Sequence, residues 1–202
     1  MSDTRLGVLG GTFDPIHYGH LLAAEQARET LGLDRVLFMP AGDPPHKIGR
    51  PKSAAHHRRA MVELAIAGDP AFCLSTIDLD RPGPHYSVDM IDQVRRAFDL
   101  SAETCFFILG ADSLWDLPGW RRPRQLIQQC RLAVLHRPGY EPEVEQLAAA
   151  LPGLPARLDW VPMPEVGVAS SDLRRRARQG LSLRYQTPEA VIAYIRQHRL
   201  YG

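Results

Sequence analysis

The stretch Arg5-Leu6-Gly7-Val8-Leu9-Gly10-Gly11-Thr12-Phe13-Asp14-Pro15-Ile16-His17-Tyr18-Gly19-His20 joins a short apolar strand to a glycine turn and to two histidines three residues apart. Leu21 to Glu29 follows, rich in good helix formers, so the whole reads as strand, loop and helix. Backbone amides in a glycine turn can approach phosphate oxygens closely. The first turn of the helix adds unpaired amides and the positive end of its dipole. Residues three apart share a helix face, so His17 and His20 can address one anion. Either histidine alone reads better as a capping or packing residue, but beside Gly10 and Gly11 the pair reads as a phosphate site. Asp14 before Pro15 reads as a turn former.

Outward from this unit the same alternation repeats. Strands are predicted over 35–40, 72–77, 104–109, 131–135 and 158–161, and helices over 54–67, 87–98, 123–129, 143–151, 171–179 and 188–198. Strands alternating with helices imply an α/β fold with a doubly wound, mostly parallel sheet, and Thr104 to Leu109 is apolar enough to be buried on both faces. In such a sheet ligands bind at the carboxyl ends of the strands where the order reverses, and most of the polar motifs here follow strands. No repeat, low-complexity tract or linker divides the chain, and 202 residues fit one domain. Pro44-Pro45, Pro82-Gly83-Pro84 and Pro152 to Pro155 read as loops.

Composition narrows the function. The residues are 45% hydrophobic and 23% charged, and no apolar run approaches the roughly 20 residues a membrane helix needs. The first strand begins almost at the N-terminus with no basic and apolar leader, so a cytoplasmic protein is expected. A net charge of +1 lacks the basic surplus of a nucleic-acid binder. Cys73, Cys105 and Cys130 are odd in number, widely spaced and set in or beside apolar segments, which fits reduced buried thiols rather than a metal cage or disulfide framework. The dinucleotide fingerprint G-x-G-x-x-G is absent, which removes the main support for hydride transfer. Two imidazoles beside a phosphate turn suit phosphoryl or nucleotidyl transfer, where positioning and electrostatics carry the catalysis.

Three further places could contribute. Lys47 follows Pro44-Pro45-His46 in a stiffened loop and reads either as a polyphosphate ligand or as a solvated lysine. Ser170-Ser171-Asp172-Leu173-Arg174 reads as a helix start. There hydroxyls, first-turn amides and the Arg174 fork could accept phosphate, or the serines could simply cap the helix and the arginines form a solvated face. Trp120 reads by itself as a core residue.

Taken in order, Gly10 to His20, Pro44-Pro45-His46-Lys47, Gly83-Pro84-His85-Tyr86-Ser87-Val88-Asp89, Gly110-Ala111-Asp112-Ser113-Leu114 with Trp120, His136-Arg137-Pro138-Gly139, Ser170 to Arg174 and Tyr194 to Tyr201 resemble the bacterial nicotinate-nucleotide adenylyltransferases, within the H-x-G-H nucleotidyltransferases. The resemblance runs nearly end to end. It implies a Rossmann-like nucleotidyltransferase fold with C-terminal helices, and transfer of AMP from ATP to nicotinate mononucleotide in NAD biosynthesis, by direct in-line attack without a covalent intermediate. It assigns ATP to Gly10, Gly11, Thr12, Phe13, His17, His20, Lys47, Gly110, Asp112, Ser170, Ser171 and Arg174, with His17, His20, Lys47 and Arg174 catalytic. It assigns the mononucleotide to Tyr86, Ser87, Trp120 and Arg121, with Trp120 stacking on the pyridine ring. Mg²⁺ would travel with ATP, held mostly by phosphate and water, so no protein metal ligand is implied. No nucleic-acid or membrane partner is implied, and a homo-oligomer is compatible with it.

Two departures stand out. Val168-Ala169-Ser170-Ser171 replaces the family's usual Ile-Ser-Ser-Thr, and His85-Tyr86-Ser87 replaces Ser-Tyr-Thr. Other acceptors, such as nicotinamide mononucleotide or phosphopantetheine, and a non-catalytic nucleotide-binding protein are the competing readings. Class I aminoacyl-tRNA synthetases share the H-x-G-H logic, but this chain has no room for their tRNA-binding domains.

Overall fold

A computed structural model describes residues 4–42, 52–136 and 144–202. Six parallel strands form one sheet: β1 (Leu6–Gly11), β2 (Arg35–Pro40), β3 (Phe72–Leu74), β4 (Cys105–Gly110), β5 (Arg131–His136) and β6 (Leu158–Pro162). Their order is β3-β2-β1-β4-β5-β6. The chain winds outward from β1 to β3, returns to lay β4 beside β1 with Val8 opposite Phe107, and winds outward again the other way. The reversal therefore lies between β1 and β4, and their carboxyl ends, Gly10-Gly11 and Gly110, flank the crevice that such a fold offers a ligand.

Alternation along each strand divides the core. Leu6, Val8, Leu37, Met39, Cys105, Phe107, Leu109, Leu132 and Val134 face one side, where α4 (Ser87–Ala97) and α6 (Pro123–Gln129) cover them. Leu9, Val36, Phe38, Phe106, Ile108 and Ala133 face the other. There they meet α1 (Tyr18–Leu31), α2 (Ala55–Ile66), α8 (Ser170–Arg178) and α9 (Glu189–Gln197). Each fully buried Leu, Ile or Phe of this kind contributes about 1.5–3 kcal/mol. Small buried residues, Ala23, Ala24 and Ala27, let α1 lie close to the sheet. Cys105 and Cys130 are buried, Cys73 is half-buried, and all three are free. Burial pushes the Cys105 thiol up to about 12 and that of Cys130 well above its ordinary value. No helix among the described residues is long and apolar enough to cross a membrane.

Two expectations need correction, and one short helix is additional to those predicted. The strand expected over 72–77 ends at Leu74: the Ser75 amide still donates to Phe38 O of β2 (3.0 Å), but the chain then enters the short helix α3 (Ile77–Asp80). The segment after Gly110 is a six-residue helix, α5 (Ala111–Asp116), followed by a 3-10 turn over Leu117–Gly119. Finally, Ser170 and Ser171 do not cap α8. Ala169 occupies the cap position with no side-chain bond, and both serines lie in the first helical turn. Helix α7 (Val144–Ala150) lies close to where the pattern put it, and a 3-10 turn over Pro155–Arg157 precedes β6.

Candidate active site

A cleft of about 420 Å³ opens at the β1–β4 reversal. Gly10, Gly11, Thr12, His17, Gly19 and His20 line one wall, and His85, Ser87, Met90, Phe107 and Trp120 another. Gly110 lines this cleft and a neighbouring one of about 430 Å³, where Asp112, His136 and Glu165 also lie.

The glycine-loop wall is held from behind. Its carbonyl oxygens, which would repel an anion, are engaged one after another by side chains from elsewhere. Arg58 Nη1 donates to Thr12 O (2.9 Å), Arg174 Nη1 to Asp14 O (2.6 Å), the Ser170 hydroxyl to Pro15 O (2.9 Å) and the Thr187 hydroxyl to Ile16 O (2.7 Å). The Asp14 carboxylate, 2% exposed, accepts the Tyr201 hydroxyl (2.7 Å) and the Ser53 amide (3.1 Å). Burial and this hydrogen bond push the Tyr201 phenol well above its usual range. Phe13 sits in the left-handed region (φ 48°), with its ring 1% exposed and edge-on to His20 at 5.0 Å.

His17 is the N-cap residue of α1, and His20 Nδ1 accepts its amide (3.2 Å). The two imidazoles stack with ring centroids 3.7 Å apart. Burial lowers the His17 pKa to about 4, so the ring is neutral at pH 7. Its Nδ1 is buried with no hydrogen-bond partner among the described residues. An unsatisfied buried polar atom costs about 1–3 kcal/mol, which fits a residue kept for a ligand rather than for the fold. Gly19 completes the pair, because a Cβ there would lie 3.1 Å from His17 Cε1 and Nδ1. The spacing His-x-Gly-His thus has a steric reason: the glycine leaves room for the stacked rings.

The opposite wall is built mostly from nearby sequence. Asp78, 3% exposed, accepts the Gly42 amide (3.0 Å) through Oδ2 and the Arg81 fork (2.6 and 2.9 Å) through Oδ1. Arg81 also donates to Pro84 O and Tyr86 O (both 3.2 Å), which holds the turn ahead of α4. The His85 ring lies over Gly42, where a Cβ would fall 2.3 Å from its Nε2. Ser87 opens α4, and Trp120 is half-buried, edge-on to Phe107 at 6.2 Å.

The structure brings Gly10, Gly11, Thr12, His17, His20, Ser87, Gly110 and Trp120 together around the cleft. Asp112 lies in the neighbouring one. Tyr86 and Arg121 do not line either: Arg121 stands over the Tyr86 ring at 5.8 Å, with Tyr86 packed against the core. Ser171 is exposed at the start of α8, while Ser170 and Arg174 turn to the glycine loop. Lys47 lies outside the described residues. Sequence reasoning missed Arg58, Asp78, Arg81, Thr187 and the Tyr201–Asp14 bond. Of these, only Arg81, in a run of charge just before Pro82-Gly83-Pro84, carried a local signal.

A doubly wound sheet with a glycine loop and stacked histidines at its reversal defines a nucleotidyltransferase-type site. The cytidylyltransferase-like family model matches residues 8–176. The probable nicotinate-nucleotide adenylyltransferase of Thermomicrobium roseum is 48% identical over 198 residues, covering 98% of this chain and 92% of that protein. That of a Roseiflexus species is 47% identical over 201 residues and covers both chains completely. Among solved structures, the Plasmodium falciparum nicotinic acid mononucleotide adenylyltransferase complexed with NaAD superposes with a TM-score of 0.76 at 16% identity, over 98% of this chain and 97% of that one. The same enzyme complexed with APC gives 0.74. These two share the fold. The chain belongs to the nicotinate-nucleotide adenylyltransferase family, within the cytidylyltransferase-like proteins.

Proposed function

We propose that this protein transfers AMP from ATP to nicotinate mononucleotide, forming nicotinate adenine dinucleotide and pyrophosphate, and that the cleft at the β1–β4 reversal is where it does so. One observation carries the reading: a wall of glycine-loop amides and stacked histidines faces a wall bearing Ser87 and Trp120 across one cleft, in a chain of this family. The mononucleotide phosphate is already an anion, so one of its oxygens attacks the ATP α-phosphorus directly. The bond from that phosphorus to the bridging oxygen of the β-phosphate breaks, and pyrophosphate leaves with the electron pair. No general base and no covalent enzyme intermediate are needed.

In this reading the Thr12 and Phe13 amides, with His17 and His20, stabilise charge on the α-phosphate, with His17 acting as a neutral donor. Lys47, Ser171 and the nitrogens of Arg174 other than Nη1 serve the β- and γ-phosphates, while the Ser170 hydroxyl donates to Pro15 O behind the loop. Gly110 and Asp112 serve the nucleoside. Trp120 stacks on the pyridine ring, and Ser87, with Tyr86 and Arg121 at the edge, receives its carboxylate. A Mg²⁺ would be carried mostly by ATP oxygens and water. When bound, that ion neutralises charge on the phosphates. The whole chain acts as one domain, because a single sheet collects strands from residue 6 to residue 162 and α8 and α9 pack on it. We assign the protein to the cytoplasm on its free thiols and its use of ATP.

Pyrophosphate release with ATP, Mg²⁺ and, in parallel, nicotinate mononucleotide, nicotinamide mononucleotide or phosphopantetheine tests the reaction and the acceptor together. Strong preference for nicotinate mononucleotide is expected. Activity only with another acceptor removes the assignment of the Ser87 wall, and silence with all three removes the reaction.

A further inference from the structure

Arg58 is the largest of the fully buried side chains, 1% exposed, and no step of the transfer just described uses it. Among the described residues its guanidinium reaches three main-chain carbonyls: Nη1 donates to Thr12 O (2.9 Å) and Ala41 O (2.8 Å), and Nε to Ser53 O (3.1 Å). Thr12 ends the glycine loop, Ala41 follows β2, and Ser53 precedes α2. The Ser53 amide in turn donates to Asp14 Oδ2 (3.1 Å), so the guanidinium and the Asp14 carboxylate grip the loop at two points.

We propose that Arg58 is a positioning residue for AMP transfer: it holds the Thr12 carbonyl behind the glycine loop, so that the loop presents amides and not an oxygen to the ATP phosphates. The proposal rests on the reading of the cleft as the site of AMP transfer. A carbonyl turned toward the cleft would set a partial negative charge against the phosphate oxygens. Preorganised amides cost no reorganisation when charge develops. Arginine suits the task because its planar fork reaches several acceptors in fixed directions and stays charged when buried. Lysine keeps the charge but lacks the fork, so it cannot hold Thr12, Ala41 and Ser53 together in this geometry.

The test compares wild type with Arg58→Lys and Arg58→Met. It reads steady-state kinetics, calorimetric affinity for a non-hydrolysable ATP analogue, and hydrogen exchange of the peptide containing residues 9–17. In Arg58→Lys we expect kcat and analogue affinity each to fall by about tenfold or more, with faster exchange confined to the loop peptide and the KM for the mononucleotide held within about threefold. Arg58→Met should lose at least as much. Kinetics, affinity and loop exchange all within about twofold of wild type in Arg58→Lys would overturn the proposal. So would a loss explained by a smaller folded fraction, with exchange raised throughout the sheet. If the wild type releases no pyrophosphate with any mononucleotide, the transfer reading fails. Analogue binding and loop exchange still decide Arg58: weaker binding with a loosened loop supports it, and unchanged values, or no binding by the wild type, remove it.

Discussion

The two walls of the cleft are built in opposite ways. The glycine-loop wall is fixed by hydrogen bonds of 2.6–2.9 Å from residues 46 to 171 positions away in the chain. The acceptor wall is shaped mostly by its own neighbourhood: Asp78 and Arg81 brace the turn that carries His85 and Ser87, Phe107 backs Trp120, and the longest tie is Asp78 to the Gly42 amide, 36 positions away. On the proposed reaction, the difference separates two tasks. Charge stabilisation in a transition state needs dipoles already aimed, so the first wall is locked to the whole fold. Recognition of a flat ring and a carboxylate needs a shaped, half-apolar surface, which local packing can supply.

If that division is right, damage to the first wall lowers turnover and damage to the second changes acceptor binding. The largest effect is expected for His20→Ala: kcat falls by roughly two to three orders of magnitude with the fold retained, as read by pyrophosphate release and circular dichroism. A near-normal kcat would remove His20 from the chemistry.

His17 adds a pH signature to the same wall. Its folded pKa is about 4, below the ordinary 6.5, because burial disfavours the imidazolium. Above pH 6.5 the residue is neutral in both states and stability is full. As pH falls from 6.5 toward 4, the unfolded chain takes up a proton that the folded chain refuses, which lowers stability by up to about 3 kcal/mol. Denaturant titrations of ligand-free wild type and His17→Gln across this window should diverge, with the flatter profile in the variant. Parallel profiles would mean that the ring is not desolvated.

Gly19→Ala sharpens the comparison without removing any chemical group. Its Cβ meets the His17 ring at 3.1 Å, so the stacked pair must shift by a few tenths of an ångström. We expect kcat to drop by about tenfold, with little change in acceptor KM. On the second wall, Ser87→Ala should narrow the preference for nicotinate over nicotinamide mononucleotide by a few-fold, about 1 kcal/mol, in competition assays. An unchanged preference would move carboxylate recognition away from Ser87.

What was legible in the sequence follows the same division. The Gly10 to His20 unit could be read because its signals are local: glycines, a histidine pair at helical spacing and a helix of good formers. The strand alternation that sets the doubly wound sheet was equally local. The partners of the glycine loop were not, because Arg58, Thr187 and Tyr201 lie up to 187 residues from the groups they hold, and each looks like an ordinary helix or loop residue. Ser170 and Arg174 drew notice as a helix start, yet nothing in their spacing said that they face the Pro15 and Asp14 carbonyls. Helix α5 escaped because six residues after a strongly apolar strand are too few to show a period.

The most direct test of the two-wall division is one set of kinetics: kcat and the KM for each substrate in wild type, His20→Ala and Trp120→Ala, on the same protein concentrations. We expect the His20→Ala loss to fall on kcat, and the Trp120→Ala loss to fall on the mononucleotide KM by about tenfold with kcat within about threefold. A Trp120→Ala variant with an unchanged mononucleotide KM, or a His20→Ala variant impaired only in KM, would contradict it.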